Sequence, residues 1–232
     1  MRQFTTIRRA LFAHLTTALR GQGFSRQKRE FSNFFTRFHE EGSHSIIVEA
    51  DARFDLSVRL RYGLSFRVVW PVLQEIGRRM LISSGNEDLR IPEAAQEEGA
   101  RCYPLFTCFA ERLEGIPDWS QDTISEPDDL IALCERTLAR IHSRGLGFLA
   151  KYGTLAAVLR VIDADSQDWC LLENLRCQYL VAAAATVYAV RGYHALSEFV
   201  RRHDDDPDLE GHFRDQITWL VDAAREQQRG SR

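Results

Sequence analysis

The sequence predicts an α+β protein: an N-terminal helix, an antiparallel meander sheet of four or five strands packed by helices, and an all-helical C-terminal extension. Three observations predict it. Apolar residues recur at helical spacing from Phe4 to Leu19, the pattern switches to period two from Phe31 to Val69, and nearly everything after Asp168 returns to helical spacing. The 232 residues, 44% of them hydrophobic, suffice for one large core or two small ones. Residues 1–165 read as the α+β domain and 166–232 as a helical extension packed on it.

The first helix carries Phe4, Ile7, Leu11, Leu15 and Leu19 as one stripe, broadened by Ala10, Phe12 and Ala18. It opens at Thr5 or Thr6 and stops at Gly21 or Gly23, with Arg8, Arg9 and Arg20 on the polar face. Phe24 then plugs the helix onto the sheet. In the strand FSNFFTRF, Phe31, Asn33, Phe35 and Arg37 share one face; Ser32, Phe34, Thr36 and Phe38 share the other. Phenylalanine on both faces predicts cover on both sides near one end. HEEGS is a hairpin turn, after which Ile46, Val48 and Ala50 alternate with Ile47 and Glu49. A turn near Ala52 leads to Phe54, Leu56, Val58 and Leu60, alternating with Asp55, Ser57, Arg59 and Arg61. Tyr62-Gly63 reads as a further turn into a fourth strand, SFRVV. Connections this short favour an antiparallel meander over crossover units.

Pro71 ends the strand and starts the helix VLQEIGRRMLI, which Ser83–Asn86 breaks. Pro92–Gly99 is a loop or short helix, CYPLFTCF a proline-bearing edge strand, and Glu114–Trp119 a turn. Ser125 and Asp128 make a capping box with Pro127 in the first turn of LIALCERTLARIH, whose buried stripe is Leu130, Leu133, Cys134, Leu138 and Ile141. Gly145 and Gly147 interrupt it before LGFLAKYG, and LAAVLRVI adds a further helical turn or two. WCLLENLRCQYLVAAAATVYAVRG reads as one long helix, Tyr193–His203 as a shorter one, HDDDPD as a solvated break and LEGHFRDQITWLVDAAREQ as the last helix. Ala182–Ala185 predict close helix–helix packing.

The formal net charge of -3 argues against a dedicated nucleic-acid binder. The charge is uneven: residues 1–40 carry eight Arg/Lys against two Glu, and Glu111–Asp129 carries seven acids against Arg112 alone. Five cysteines, an odd number, do not form a secreted disulfide framework, and MRQFTTIRRALFAHL lacks a signal-peptide pattern. The longest apolar run, Leu180–Val190, suits a buried helix better than a membrane span. A cytoplasmic location is expected.

The chemical motifs are sparse. No pair of cysteines is spaced C-x-x-C; Cys102 and Cys108, or Cys170 and Cys177, read as small buried hydrophobes. His39 and His44 flank a turn with Glu40 and Glu41, so two imidazoles and a carboxylate could meet a metal there, although a solvent-exposed turn explains them as well. His203 with Asp204, Asp205, Asp206 and Asp208 lacks calcium-loop spacing. G-x-S-x-G and H-E-x-x-H are absent, and GLGF at 145–148 lacks the rest of a phosphate cradle. No catalytic residue, cofactor or metal is therefore assigned. Arg37, Arg59, Arg61 and Arg67 fall on successive predicted strands; cross-strand arginines repel and need solvent or an anionic partner, so they are the candidate contacts for an acidic protein surface. The readings are a non-enzymatic protein-interaction module, a metal-dependent hydrolase or nuclease using His39 and His44, or a structural homo-oligomer built on Ala182–Ala185.

The segments LTTALRGQGFSRQKREFSNFF, SIIVEADARFDLSVRLRYGLSF and ERTLARIHSRGLGFLAKYG come in an order that resembles the DUF4304-like bacterial family of unknown function. The resemblance covers about residues 4–163 and consists of packing and turn residues. It implies a small α+β domain and, because some relatives lie near polymorphic-toxin immunity genes, a protein-binding role without catalysis: an immunity-type protein that neutralises a toxin. The helical region 168–228 departs from that family, which supplies no catalytic residues to carry over.

Overall fold

The computed structural model describes residues 2–28, 32–51, 56–83, 105–115, 122–124, 129–173 and 175–230. Helix α1 (Arg2–Arg20) buries Ile7, Leu11, Phe12, Leu15 and Leu19. It ends where Gly23 turns to a φ of 81°, a left-handed conformation that glycine adopts without a Cβ penalty. The Phe24 N–H closes that turn on the Leu19 carbonyl at 3.2 Å, and the Phe24 ring is buried.

The next residues hold an element that the sequence did not predict. SRQK has no apolar alternation, yet Ser25–Lys28 forms β1, because its backbone pairs antiparallel with β2 (Ser32–Phe38) from Ser25↔Thr36 to Lys28↔Asn33. Strand β2 pairs with β3 (Gly42–Asp51), and β3 pairs along its whole length with β4 (Leu56–Phe66), from Gly42↔Phe66 to Asp51↔Ser57. The expected turn at Tyr62-Gly63 does not form. Gly63 continues the ladder opposite Ser45 on β3 and Thr107 on β5 (Phe106–Phe109), so its backbone is paired on both sides. What was read as the strand SFRVV is the end of β4 followed by a 3-10 turn at Arg67–Val69. The turn near Ala52, together with Phe54 and Asp55, lies outside the described residues.

Helix α2 (Trp70–Ser83) follows, with Pro71 in its first turn, where the missing N–H costs nothing. Strand β5 is an edge, as its sequence predicts; the short helix α3 (Ala110–Glu114) leaves it, and β6 (Asp122–Ile124) pairs with the start of β4. The sheet order is β1-β2-β3-β4-β5, antiparallel throughout, with β6 beside β5 on the far edge of β4. The break at Ser83–Asn86 beyond Ser83, the 92–99 segment and the capping box at Ser125–Asp128 lie outside the described residues.

Helix α4 (Leu130–Arg140) buries Leu133, Cys134 and Thr137 and runs without a break through a π turn (Ile141–Gly145) into α5 (Leu146–Tyr152). The glycines therefore do not interrupt the helix. A Cβ on Gly145 would lie 2.1 Å from the Tyr62 ring, so this glycine permits close approach to the sheet. Helix α6 (Leu155–Ala164) is capped by Thr154, whose hydroxyl accepts from the Ala157 N–H.

The helix predicted to start at Trp169 starts later. Gln167–Leu171 is a 3-10 turn, and α7 runs from Arg176 to Arg202 with a kink at Gly192, where φ is 77°. The Arg112 guanidinium donates to the carbonyls of Cys170 (2.8 Å) and Glu173 (3.4 Å), groups that a continuous helix would use in its own ladder. Helix α8 (Gly211–Gly230) completes the chain.

One face of the sheet, with Phe35, Ile46, Val48, Leu60, Tyr62, Leu64 and Phe66, belongs to a core continuous with α1, α4, α5, α7 and α8. Leu180–Val187 is buried within this same chain, so the Ala182–Ala185 face is already occupied and is not available to a second copy. Phe34 and Ile47, on the opposite face, are buried but separate from that core. Arg79 of α2 pairs with Glu226 of α8 at 2.7 Å. Among the described residues no single helix is long and apolar enough to cross a membrane; one pair, 130–152 with 155–164, meets the criteria jointly but is bent by 81° and its Ile141, Leu149 and Val158 are in the core.

The Tyr62 hydroxyl is buried without a partner among the described residues. Removing it in Tyr62→Phe is expected to leave stability unchanged or raise it by about 1 kcal/mol, measured by urea denaturation. A loss of that size would show that the hydroxyl is hydrogen-bonded. Gly145→Ala is expected to cost about 2 kcal/mol or more by the same measurement, because the Tyr62 ring is held from both sides.

Candidate protein-binding surface

Strand parity separates the four candidate arginines. Arg37 pairs with His44 across β2 and β3, on the face that carries Phe35 and Ile46; Arg59 and Arg61 fall on the opposite face of β4. Arg67 leaves the sheet in the 3-10 turn. The expectation of one arginine surface on successive strands is thus corrected: Arg59 and Arg61 share one uninterrupted strand, and Arg37 points to the other side.

Arg37 and Arg61 are held by internal contacts. Arg37 donates to the Gln22 carbonyl at 3.4 Å, lies within hydrogen-bond distance of His44 Nδ1 at 3.2 Å, and stacks its guanidinium over Phe24, 4.9 Å from the ring centroid. It clamps the α1–β1 turn to the β2–β3 hairpin. Arg61 is ion-paired with Glu49 and lies over the Phe109 ring. Glu49 is itself the register partner of Arg59, which relieves the repulsion expected of neighbouring arginines. Arg59 and Arg61 are half-buried, and only Arg67 is exposed.

The histidines of the hairpin do meet, with ring centroids 4.4 Å apart. His44 Nε2 lies 3.0 Å from the Gly153 carbonyl, so with Arg37 donating to Nδ1 the imidazole is neutral and its proton sits on Nε2. Glu41 accepts from the Leu155 N–H at the start of α6, 2.9 Å away. This set fastens the hairpin to the α5–α6 junction. Gly153 leaves the room: a Cβ there would stand 2.3 Å from His44 Nε2. Burial pushes both imidazoles below their ordinary value; the Gly153 carbonyl opposes this for His44, and the Glu41 carboxylate opposes it for His39.

The other chemical candidates are also in structural use. Asp204 pairs with Arg214, and Asp206 pairs with Arg176, each at 3.2 Å. Among the described residues no group of three or more His, Cys, Asp or Glu could hold a metal. Burial pushes the Cys108 thiol up to about 12, the opposite of an activated nucleophile. Cys102 lies outside the described residues.

Further exposed cations stand on the first helix and the π turn. Residues 2–28 contain no Asp or Glu, and Arg8, Arg9 and Arg20 of α1 are exposed. Helix α1 lies beside α4. The turn after α1 meets the π turn through Gln22 Nε2 and His142 Nε2, 2.7 Å apart. Arg144 is exposed on that π turn. The polar face of the first helix is legible in the sequence; its juxtaposition with residues more than one hundred positions away is not. Comparison with protein-family models, with curated proteins and with solved structures returns no match.

The pH dependence of the hairpin fastening has a definite sign. The unfolded chain binds protons on His39 and His44 near pH 6.5, while the folded chain resists them, so their contribution is intact above about 6.5 and lost as pH falls below it. The thermal midpoint is expected to drop between about pH 7.5 and 5.5, and a His39→Gln, His44→Gln variant to show a shallower drop. An unchanged slope would assign the effect to other groups.

Proposed function

We propose that this chain is a non-enzymatic protein-interaction module that works in the cytoplasm and binds a protein with an acidic surface, in the manner of an immunity protein neutralising a toxin. The observation that carries this reading is an acid-free basic segment: residues 2–28 hold six Arg/Lys and no Asp or Glu, with Arg8, Arg9 and Arg20 exposed. A basic surface of this kind steers and orients an oppositely charged partner more than it adds affinity. The element order shared with the DUF4304-like group supports the same reading, since that resemblance implies binding without chemistry.

The test is capture of the tagged full chain from its native host at low and high salt, with mass spectrometry and metal analysis of the same sample. A stoichiometric acidic protein, released as salt rises, is the expected result. Near-stoichiometric metal without a protein partner, accompanied by hydrolysis of ester or phosphodiester substrates that His39→Ala abolishes, would overturn it in favour of a hydrolase or nuclease.

A further inference from the structure

We infer that the docking surface is the outer face of the α1–α4–α5 layer rather than the sheet, and that it takes an acidic protein segment bearing aliphatic or aromatic side chains. This rests on the module reading above and specifies its surface. Arg9 and Arg20 are eleven residues apart, three turns of helix, and so stand on one side of α1; both are exposed. Arg144 projects from the adjoining π turn, two residues beyond the His142 that contacts Gln22. Among the described residues, no carboxylate pairs with Arg9, Arg20 or Arg144. By contrast, Arg140 of α4 is paired with Glu114 at 2.7 Å, and Arg191 of α7 with Asp163 of α6 at 2.6 Å. Among the described residues, exposed arginines without a carboxylate partner also stand elsewhere, Arg160, Arg201 and Arg229 among them; this layer differs in that residues 2–28 contribute no acid and their turn meets the π turn.

The face is not purely basic. Ile131, in the first turn of α4, is 72% exposed, with Ala132 and Ala139 exposed on the same helix. Glu135 is exposed one turn from Ile131, so the patch is aliphatic with charges of both signs and arginine in excess, a composition found in protein interfaces. The π turn adds a second mark, since such turns concentrate at functional sites; here it presents His142, Ser143 and Arg144 outward while Gly145 rests on Tyr62. Single-stranded nucleic acid needs exposed rings for stacking, and the described aromatic side chains of these elements, Phe12, Phe148 and Tyr152, are all buried. The net charge of -3 further disfavours a polyanionic duplex.

The test uses the purified full chain and a fluorescent acidic amphipathic peptide rich in Asp, Glu, Leu and Phe, read by anisotropy. A single-stranded DNA serves as competitor, and sedimentation reports self-association. Arg9→Glu, Arg20→Glu, Arg144→Glu is compared with a reversal of equal charge elsewhere, Arg160→Glu, Arg201→Glu, Arg229→Glu. The first is expected to weaken peptide binding about tenfold or more, and the second to leave it within about twofold. A neutral Arg9→Gln, Arg20→Gln, Arg144→Gln variant, expected to fall between wild type and reversal, guards against a folding defect.

Equal loss in both reversals would reduce the effect to net charge and overturn the inference. So would DNA that outcompetes the peptide through the same arginines, or self-association of the wild type that the first variant abolishes. If host capture yields a protein partner that this variant retains in full, the surface is wrong and the module reading stands. No partner for either chain overturns the module reading itself.

Discussion

The approach of Gly145 to the Tyr62 ring sets the spacing between sheet and helices, and much else in the molecule depends on it. Tyr62 stands in the middle of the longest strand, with Ile46 opposite on one side and Cys108 on the other, so its ring occupies the centre of the covered face. Any side chain at position 145 would occupy the volume of that ring. The π turn places the glycine there, and the helix continues on both sides, with Phe148 and Tyr152 stacking onward from Tyr62 at centroid distances of 6.3 and 5.4 Å. A close-packed interior tolerates little adjustment at such a contact. The same contact turns the other side of the π turn, with His142 and Arg144, toward solvent beside α1.

Polar groups fasten the periphery of this core. The β2–β3 hairpin is held by His44 on Gly153 and by Glu41 on the start of α6; the far edge is held by Thr107 on Glu173 and by Arg112 on the carbonyls of residues 170 and 173. At the hairpin, side chains that look chemically promising in sequence are consumed by a junction between elements. Histidine pairs and acidic loops carry little functional information until their neighbours are known, because a hydrogen bond to a carbonyl and a bond to a metal require the same atoms.

The charge distribution is a different matter, since exposed arginines without a carboxylate partner tie no elements together and keep their charge for solvent or a partner. Paired arginines tie α2 to α8, α4 to α3 and α7 to the loop before α8, whereas Arg9, Arg20 and Arg144 have no carboxylate partner among the described residues. Such arginines occur elsewhere too, Arg160, Arg201 and Arg229 among them; the acid-free composition of residues 2–28 and their contact with the π turn direct attention to this layer. Internal contacts make the sheet arginines the weaker candidates: Arg61 has Glu49 and Phe109, and Arg37 has His44, Gln22 and Phe24.

Much of the architecture was legible in the residues, because local patterning and burial agree there. The stripe of Ile7, Leu11, Leu15 and Leu19, the alternation of Val58 and Leu60 with Arg59, the edge character of β5 and the terminal helix all follow from period and composition. Strand β1 was not legible, since SRQK becomes a strand only because β2 offers a ladder. The continuations of β4 through Gly63 and of α4 through Gly145 were misread for one reason: glycine permits both a turn and a close contact, and only the neighbouring element decides which. The late start of α7 was hidden for another: Arg112, more than fifty residues earlier, takes the carbonyls of Cys170 and Glu173. The sequence by itself determined the α+β class, the meander and a basic first helix. Which arginines are matched, which face is covered and where α1 meets the π turn were decided only by tertiary structure, because pairing across more than one hundred residues leaves no periodic trace in the chain.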